Sequence, residues 1–165
     1  MRFNWVDLLS IGVVATAGGI QFMRGIRELS RVFYETVFVT GAIIAAGYLY
    51  APLGRAIGVP PVAGFAGAFV LAAALGIWLA FLLNRFLPFD AGAFNYLFAL
   101  VLAVGFGWVV GHGVLRSLYI ALAQHDKQFV LAVRRSWMAS QLLYFGAFWE
   151  MLAVLRFARY SNVAK

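Results

Sequence analysis

The run GFAGAFVLAAALGIWLAFLLNRFLPFDAGAFNYLFALVLAVGFGWVVGHG, residues 64–113, decides the fold. Two long apolar spans flank Asn84-Arg85-Phe86-Leu87-Pro88-Phe89-Asp90, and each carries a small residue at every fourth position: Gly64, Ala68, Ala72, Gly76 and Ala80 in the first, Ala99, Ala103, Gly107 and Gly111 in the second. On a helix such rows are grooves. In lipid, where burying one apolar side chain against another gains little over burying it in acyl chains, close backbone approach along a groove is a main source of helix attraction. The two spans are therefore expected to form an antiparallel transmembrane hairpin with facing grooves. A strict four-residue step drifts by about 40° each time at 100° per residue, so close contact is expected over only part of each row.

Outside this run the composition points the same way. The 165 residues are 64% hydrophobic and only 12% charged, with a mean hydropathy of +0.90, whereas soluble domains carry about 25% charged residues. The chain reads as an all-α polytopic membrane protein. Four or five spans of about 20 residues with short connections take up its length. The absence of cysteine excludes disulfides, thiolate metal sites and cysteine nucleophiles. The net charge of +7 is explained by basic residues gathered at membrane ends, where they meet anionic headgroups; no motif that reads nucleic acid is present.

A transmembrane domain is expected over residues 1–128, with helices at about 4–22, 32–51, 62–83 and 94–115. The first apolar stretch continues beyond a signal-peptide core and lacks a clear small-residue cleavage site, so it reads as a membrane helix, with Trp5 at the interface and Ala15 and Gly19 as a short small-residue face of its own. Arg24-Gly25-Ile26-Arg27-Glu28-Leu29-Ser30-Arg31 is the most charged turn. The spacing allows Glu28 to pair with Arg24 or Arg31, and Glu35, one turn inside the second helix, to pair with Arg31. This connector of Arg24, Arg27, Glu28, Arg31 and Glu35 is either a solvated, self-paired turn or a face that docks a partner or anionic lipid. Tyr48-Leu49-Tyr50-Ala51-Pro52 is expected to close the second helix.

The opening Asn4-Trp5-Val6-Asp7-Leu8-Leu9, Gly19, the segment Arg24-Gly25-Ile26-Arg27-Glu28, the Tyr48-Leu49-Tyr50-Ala51-Pro52-Leu53 helix end and Asn95-Tyr96-Leu97-Phe98-Ala99 together resemble the colicin V production protein family, over roughly residues 4–115. The Gly19-to-Arg24 spacing is longer than that family's usual step, and Tyr96-Leu97-Phe98-Ala99 stands where it has Arg-Leu-Leu-Gly. The resemblance implies a small bacterial inner-membrane protein linked to colicin export and envelope function, with no catalytic residues to carry over.

His112, between Gly111 and Gly113, is the most chemically expressive residue of the opening run. A histidine flanked by glycines leaves room for a flat macrocycle, so a pigment or haem ligand is one reading. A hydrogen-bonded packing histidine or a proton-handling group are the others. His112 and His125 cannot clasp one haem from a single helix, since thirteen positions span about 20 Å. No metal-ligating cluster and no resident cofactor are expected.

Residues 129–165 are expected to form an apolar and basic C-terminal helix with a short tail. Trp137 to Leu155 is long enough to span, yet Gln141 and Glu150 favour an interfacial or partly embedded helix over a fifth crossing. With four spans, Arg2, Arg55 and the basic residues from Arg116 onward lie together and outnumber Arg24, Arg27, Arg31 and Arg85, which favours cytoplasmic termini.

No phosphate loop, paired carboxylates or Ser/His/Asp constellation points to an enzyme. The span centres are Gly, Ala, Leu, Val and Phe, which argues against a channel or transporter subunit, although that class remains an alternative. The expected function is a non-catalytic membrane scaffold that binds other membrane proteins through its small-residue grooves. An accessory subunit of a larger respiratory or photosynthetic complex is the competing version.

Overall fold

The structure is a computed structural model that describes residues 3–123 and 125–144, all α-helical in their regular parts, with no strand among them. Four helices are long and apolar enough to cross a membrane, and the chain is an all-α, multi-pass membrane protein.

The first helix, α1 (Trp5–Gly25), starts where Asn4 turns extended and its side chain accepts the Val6 N–H; Asp7 returns the bond to the Asn4 N–H, forming a capping box. Helix α2 (Leu29–Ile57) runs through Pro52 rather than closing there, contrary to expectation, and ends at Gly58 in the left-handed conformation (φ 75°). Proline removes only the N–H that would reach one turn back, and the exposed ring leaves the later turns free to continue. Continuation also brings Gly54 into the interior, where Gly64 packs on it. Helix α3 (Pro61–Phe86) starts with proline at its first position, and α4 (Asn95–Leu122) follows a 3-10 turn at Gly92–Phe94. Two short helices follow, α5 (Lys127–Arg135) and α6 (Trp137–Tyr144), separated by an extended Ser136. The expected single C-terminal helix is therefore broken at Ser136, and its expected course beyond Tyr144 lies outside the described residues.

The hairpin expectation needs correction in its packing. Helices α3 and α4 are antiparallel neighbours, but their small-residue rows face different partners. The row on α4 packs against α1: a Cβ at Gly107 would stand 2.5 Å from the Val14 carbonyl oxygen, one at Gly18 would stand 2.9 Å from the Ala103 carbonyl oxygen, and one at Gly25 would stand 2.9 Å from the Ala99 Cβ. The row on α3 packs against α2, where a Cβ at Gly64 would stand 3.0 Å from the Tyr50 carbonyl oxygen and one at Gly76 would stand 2.8 Å from the Phe38 Cβ. Two antiparallel pairs result, α1 with α4 and α2 with α3, and α4 is the element that also touches α2, α3 and α6.

Four-residue drift leaves its mark on α3 but not on α4. On α3, Gly64, Gly76 and Ala80 are buried while Ala68 and Ala72 are half-buried. On α4, Ala99, Ala103, Gly107 and Gly111 are all buried. As that row turns away from α1, α6 takes over: a Cβ at Gly111 would meet both Val14, at 2.7 Å, and Leu142, at 3.4 Å.

Two apolar clusters fill the interior. Val6, Leu115, Phe129, Val133, Met138, Ala139 and Leu142 join α5 and α6 to the bundle. Ile43, Ala46 and Phe65 join α2 to α3, and a Cβ at Gly113 would meet Phe69 and Ile43 at 3.0 and 3.1 Å. The outer surface is apolar and aromatic, with Trp78, Phe81, Phe98 and Tyr48 exposed. That is the surface a lipid solvent demands.

Candidate functional site

At the end of the bundle where α1 gives way to α2, polar side chains converge on one buried carboxylate. Glu35 is 1% exposed. Arg24 grips it with both terminal nitrogens, Nη2 donating to Oε1 at 2.7 Å and Nη1 to Oε2 at 2.8 Å. Arg31 Nε donates to Oε1 at 3.1 Å and Gln21 Nε2 donates to Oε2 at 3.1 Å. Arg24 also donates to the Gln21 amide oxygen, and Arg31 donates to Glu28 at 3.0 Å.

The local sequence explains the convergence. Arg31 lies one turn before Glu35 on the same helix face, while the Ile26–Glu28 connection folds α1 back so that Gln21 and Arg24 meet α2 across the turn. A carboxylate in an apolar span is costly alone; here fork-to-fork hydrogen bonding from one arginine and a second from its own helix satisfy its oxygens. The connector is thus self-paired: Glu28 pairs with Arg31, and Arg24 pairs with Glu35 rather than Glu28. Arg27 forms no ion pair among the described residues.

Beside this cluster an open cleft of about 350 Å³ lies between the α1–α2 and α3–α4 connections. Arg27, Glu28, Leu29 and Ser30 form one wall, and Asn84, Pro88, Phe89 and Asp90 the other. Ser30 Oγ donates to the Asn84 amide oxygen and so holds the two walls together.

A second polar centre sits at the opposite end. Asp7 is 1% exposed, and its Oδ1 accepts the Ser136 hydroxyl at 2.7 Å and the Met138 N–H at 2.9 Å. Asn4 Nδ2 donates to the Ala132 carbonyl at 2.9 Å. The start of α1 is therefore the clasp for the α5–α6 break, a bond set that nothing in the local spacing of Asp7 announces.

His112 is buried, with Nδ1 2.6 Å from the Leu142 carbonyl oxygen. The room that its flanking glycines leave is filled by protein, Val14 and Leu142 lying over Gly111 and Phe69 and Ile43 over Gly113. A flat macrocycle on the ring would have to displace those side chains. Among the described residues no group of three or more His, Cys, Asp or Glu is placed to hold a metal ion.

Sequence spacing identifies Glu35 with Arg31, and Glu28 with Arg31. It misses Gln21 and Arg24 as partners of Glu35, the Ser30–Asn84 bond, and the Asp7–Ser136 clasp, each of which joins separate elements. Of the small-residue rows, Gly64 and Gly76 lie against α2 and Ala99, Ala103, Gly107 and Gly111 against α1, not against each other, while Ala68 and Ala72 are half-buried. No protein-family model, curated protein or solved structure matches this chain.

Proposed function

We propose that this chain is a non-catalytic accessory protein of a membrane complex, one that binds another membrane protein through the outward face of α1. The observation that carries this reading is the contiguous exposed small-residue face of α1, Gly12, Ala15, Thr16 and Gly19. The glycines of the α3 and α4 rows are spent inside the protein, whereas a Cβ at Gly12 or Gly19 would meet nothing within 4 Å, and Ala15 and Thr16 between them are exposed. Leu8, Ile11, Ile20 and Met23 border this face and are exposed as well. A face of Gly, Ala and Thr flanked by long apolar side chains suits close approach of a second apolar helix.

The charged groups support a structural role. Glu35, Asp7, Arg24 and Arg31 are held by partners from their own chain, which leaves no free acid–base pair among them facing a cavity. The resemblance of residues 4–9 and 24–28 to the colicin V production family favours a bacterial inner membrane and a role in envelope function or export. Mild extraction from the native membrane, identification of co-purifying proteins and an absorption spectrum test the proposal. A stoichiometric membrane partner that is lost in Gly19→Leu, with the isolated protein still folded, is the expected result. A colourless monomer without companions overturns it.

A further inference from the structure

We infer that the cleft beside the charged connector binds a zwitterionic phosphoethanolamine group, as carried by aminophospholipids. The inference is independent of the partner face on α1. Its ground is the distribution of charge and hydrogen-bonding capacity around the cleft. Arg27 supplies a guanidinium with no ion pair among the described residues. Asn84 spends its amide oxygen on Ser30, which leaves its N–H donors for a second acceptor. These two are phosphate binders, one charged and one neutral.

Carboxylates occupy the same cleft. Asp90 accepts the Gly92 N–H through Oδ1 and the Asn95 amide at 3.2 Å through Oδ2, so its carboxylate is held in position with lone pairs to spare. Glu28 gives one oxygen to Arg31 and keeps the other. A primary ammonium can donate three hydrogen bonds, and this is the chemistry that such acceptors select; a quaternary ammonium donates none. Leu29, Pro88 and Phe89 complete the lining with apolar surface. The cleft lies in the connections at the membrane end of four apolar helices, the level at which headgroups sit. Its volume of about 350 Å³ falls within the range of small-ligand sites.

The phosphoethanolamine group can arrive on a lipid or as the free soluble compound, and the experiment separates the two. Delipidated full-length protein in detergent is mixed with equal amounts of phosphatidylethanolamine, phosphatidylcholine and phosphatidylglycerol, and retained lipid is read by native mass spectrometry. Phosphatidylethanolamine should be retained roughly 1.4- to fivefold over phosphatidylcholine, the range for solvent-facing charge pairs. Asp90→Asn should erase that preference with phosphate-dependent retention intact, and Arg27→Gln should weaken both lipids alike. Both side chains are exposed, so these variants leave the fold in place; unchanged thermal unfolding checks this. Competition by soluble phosphoethanolamine assigns the site to the headgroup alone, and bound lipid without such competition assigns it to the membrane-anchored form. Equal retention of ethanolamine and choline lipids by the wild type, stronger retention of phosphatidylglycerol than of either, or an ethanolamine preference unaltered in Asp90→Asn overturns the inference.

Discussion

Glu35 shows how a membrane protein keeps a carboxylate in an apolar setting. Its side chain is 1% exposed while those of Arg24 and Arg31 are 40% and 30% exposed, so the acid is buried and its cations lead outward toward water. Removing one partner of a buried pair costs more than the pair contributes, because a desolvated charge remains. Arg24→Ala is expected to destabilise the protein by about 2 kcal/mol, the general value for breaking a buried pair reduced for the exposure of Arg24. Glu35→Gln should cost less, since a freed Arg24 can reach the headgroups. Reversible unfolding in detergent with added denaturant measures both, and equal costs would contradict this asymmetry. At this scale the sequence is legible where partners share a helix face: Arg31 and Glu35 are one turn apart. Gln21 and Arg24 escape it because their contact depends on how far α1 rotates before the chain turns.

Among whole helices, glycine has two opposite meanings in this protein. Gly107 lies where a Cβ would stand 2.5 Å from the Val14 carbonyl oxygen, and nothing lies within 4 Å of one at Gly105. Gly107→Ala should therefore push α1 from α4 and destabilise by about 1–3 kcal/mol, as overpacking does. Gly105→Ala should be neutral or stabilising by up to about 1 kcal/mol through helix propensity. Thermal unfolding of the two variants side by side is the measurement, and similar shifts would mean that the α1–α4 seam is looser than described. Gly58→Ala should cost about 1 kcal/mol, because φ of 75° is strained for any residue with a Cβ. The apolar periods locate all four long helices, yet α2 runs on to Ile57 past its expected end at residue 51. The α4 row and the ends of the α3 row lie against α1 and α2 rather than against each other, since a row does not encode which neighbouring helix will fill it.

Taken as one molecule, the bundle makes a topological claim that labelling can test. Four crossings place the connections at 26–28 and 87–91 on one side and those at 58–60 and 125–126 on the other. The absence of native cysteine permits single introduced thiols at Arg27, Asp90, Val59 and Asp126. An impermeant maleimide applied to sealed vesicles should label Arg27→Cys and Asp90→Cys together and Val59→Cys and Asp126→Cys together, never all four. Membrane class and helix number follow from composition and apolar length. The pairing of α1 with α4 does not, because it joins the two ends of the four-helix order.

That pairing has a consequence for synthesis. The inward face of α1 carries Asp7, Ser10 and Gln21, all buried in the finished protein, and α4 is the helix against which α1 chiefly packs. Helix α1 is complete at Gly25, whereas α4 begins only at Asn95. At about 5–20 residues per second, the ribosome leaves the first helix without its cover for roughly 4–14 s. During that interval the Gly18 face of α1 lacks its α4 cover and Asp7 lacks Ser136, while Gln21 can already reach Glu35 and α2 and α3 can close on each other. Nascent chains arrested before residue 95 should therefore crosslink through α1 to the insertase, and chains extended past Met138, with α4 and the Asp7 partners in place, should release it. Assembly is expected to wait for α4 to cover α1 and for Ser136 and Met138 to take up Asp7.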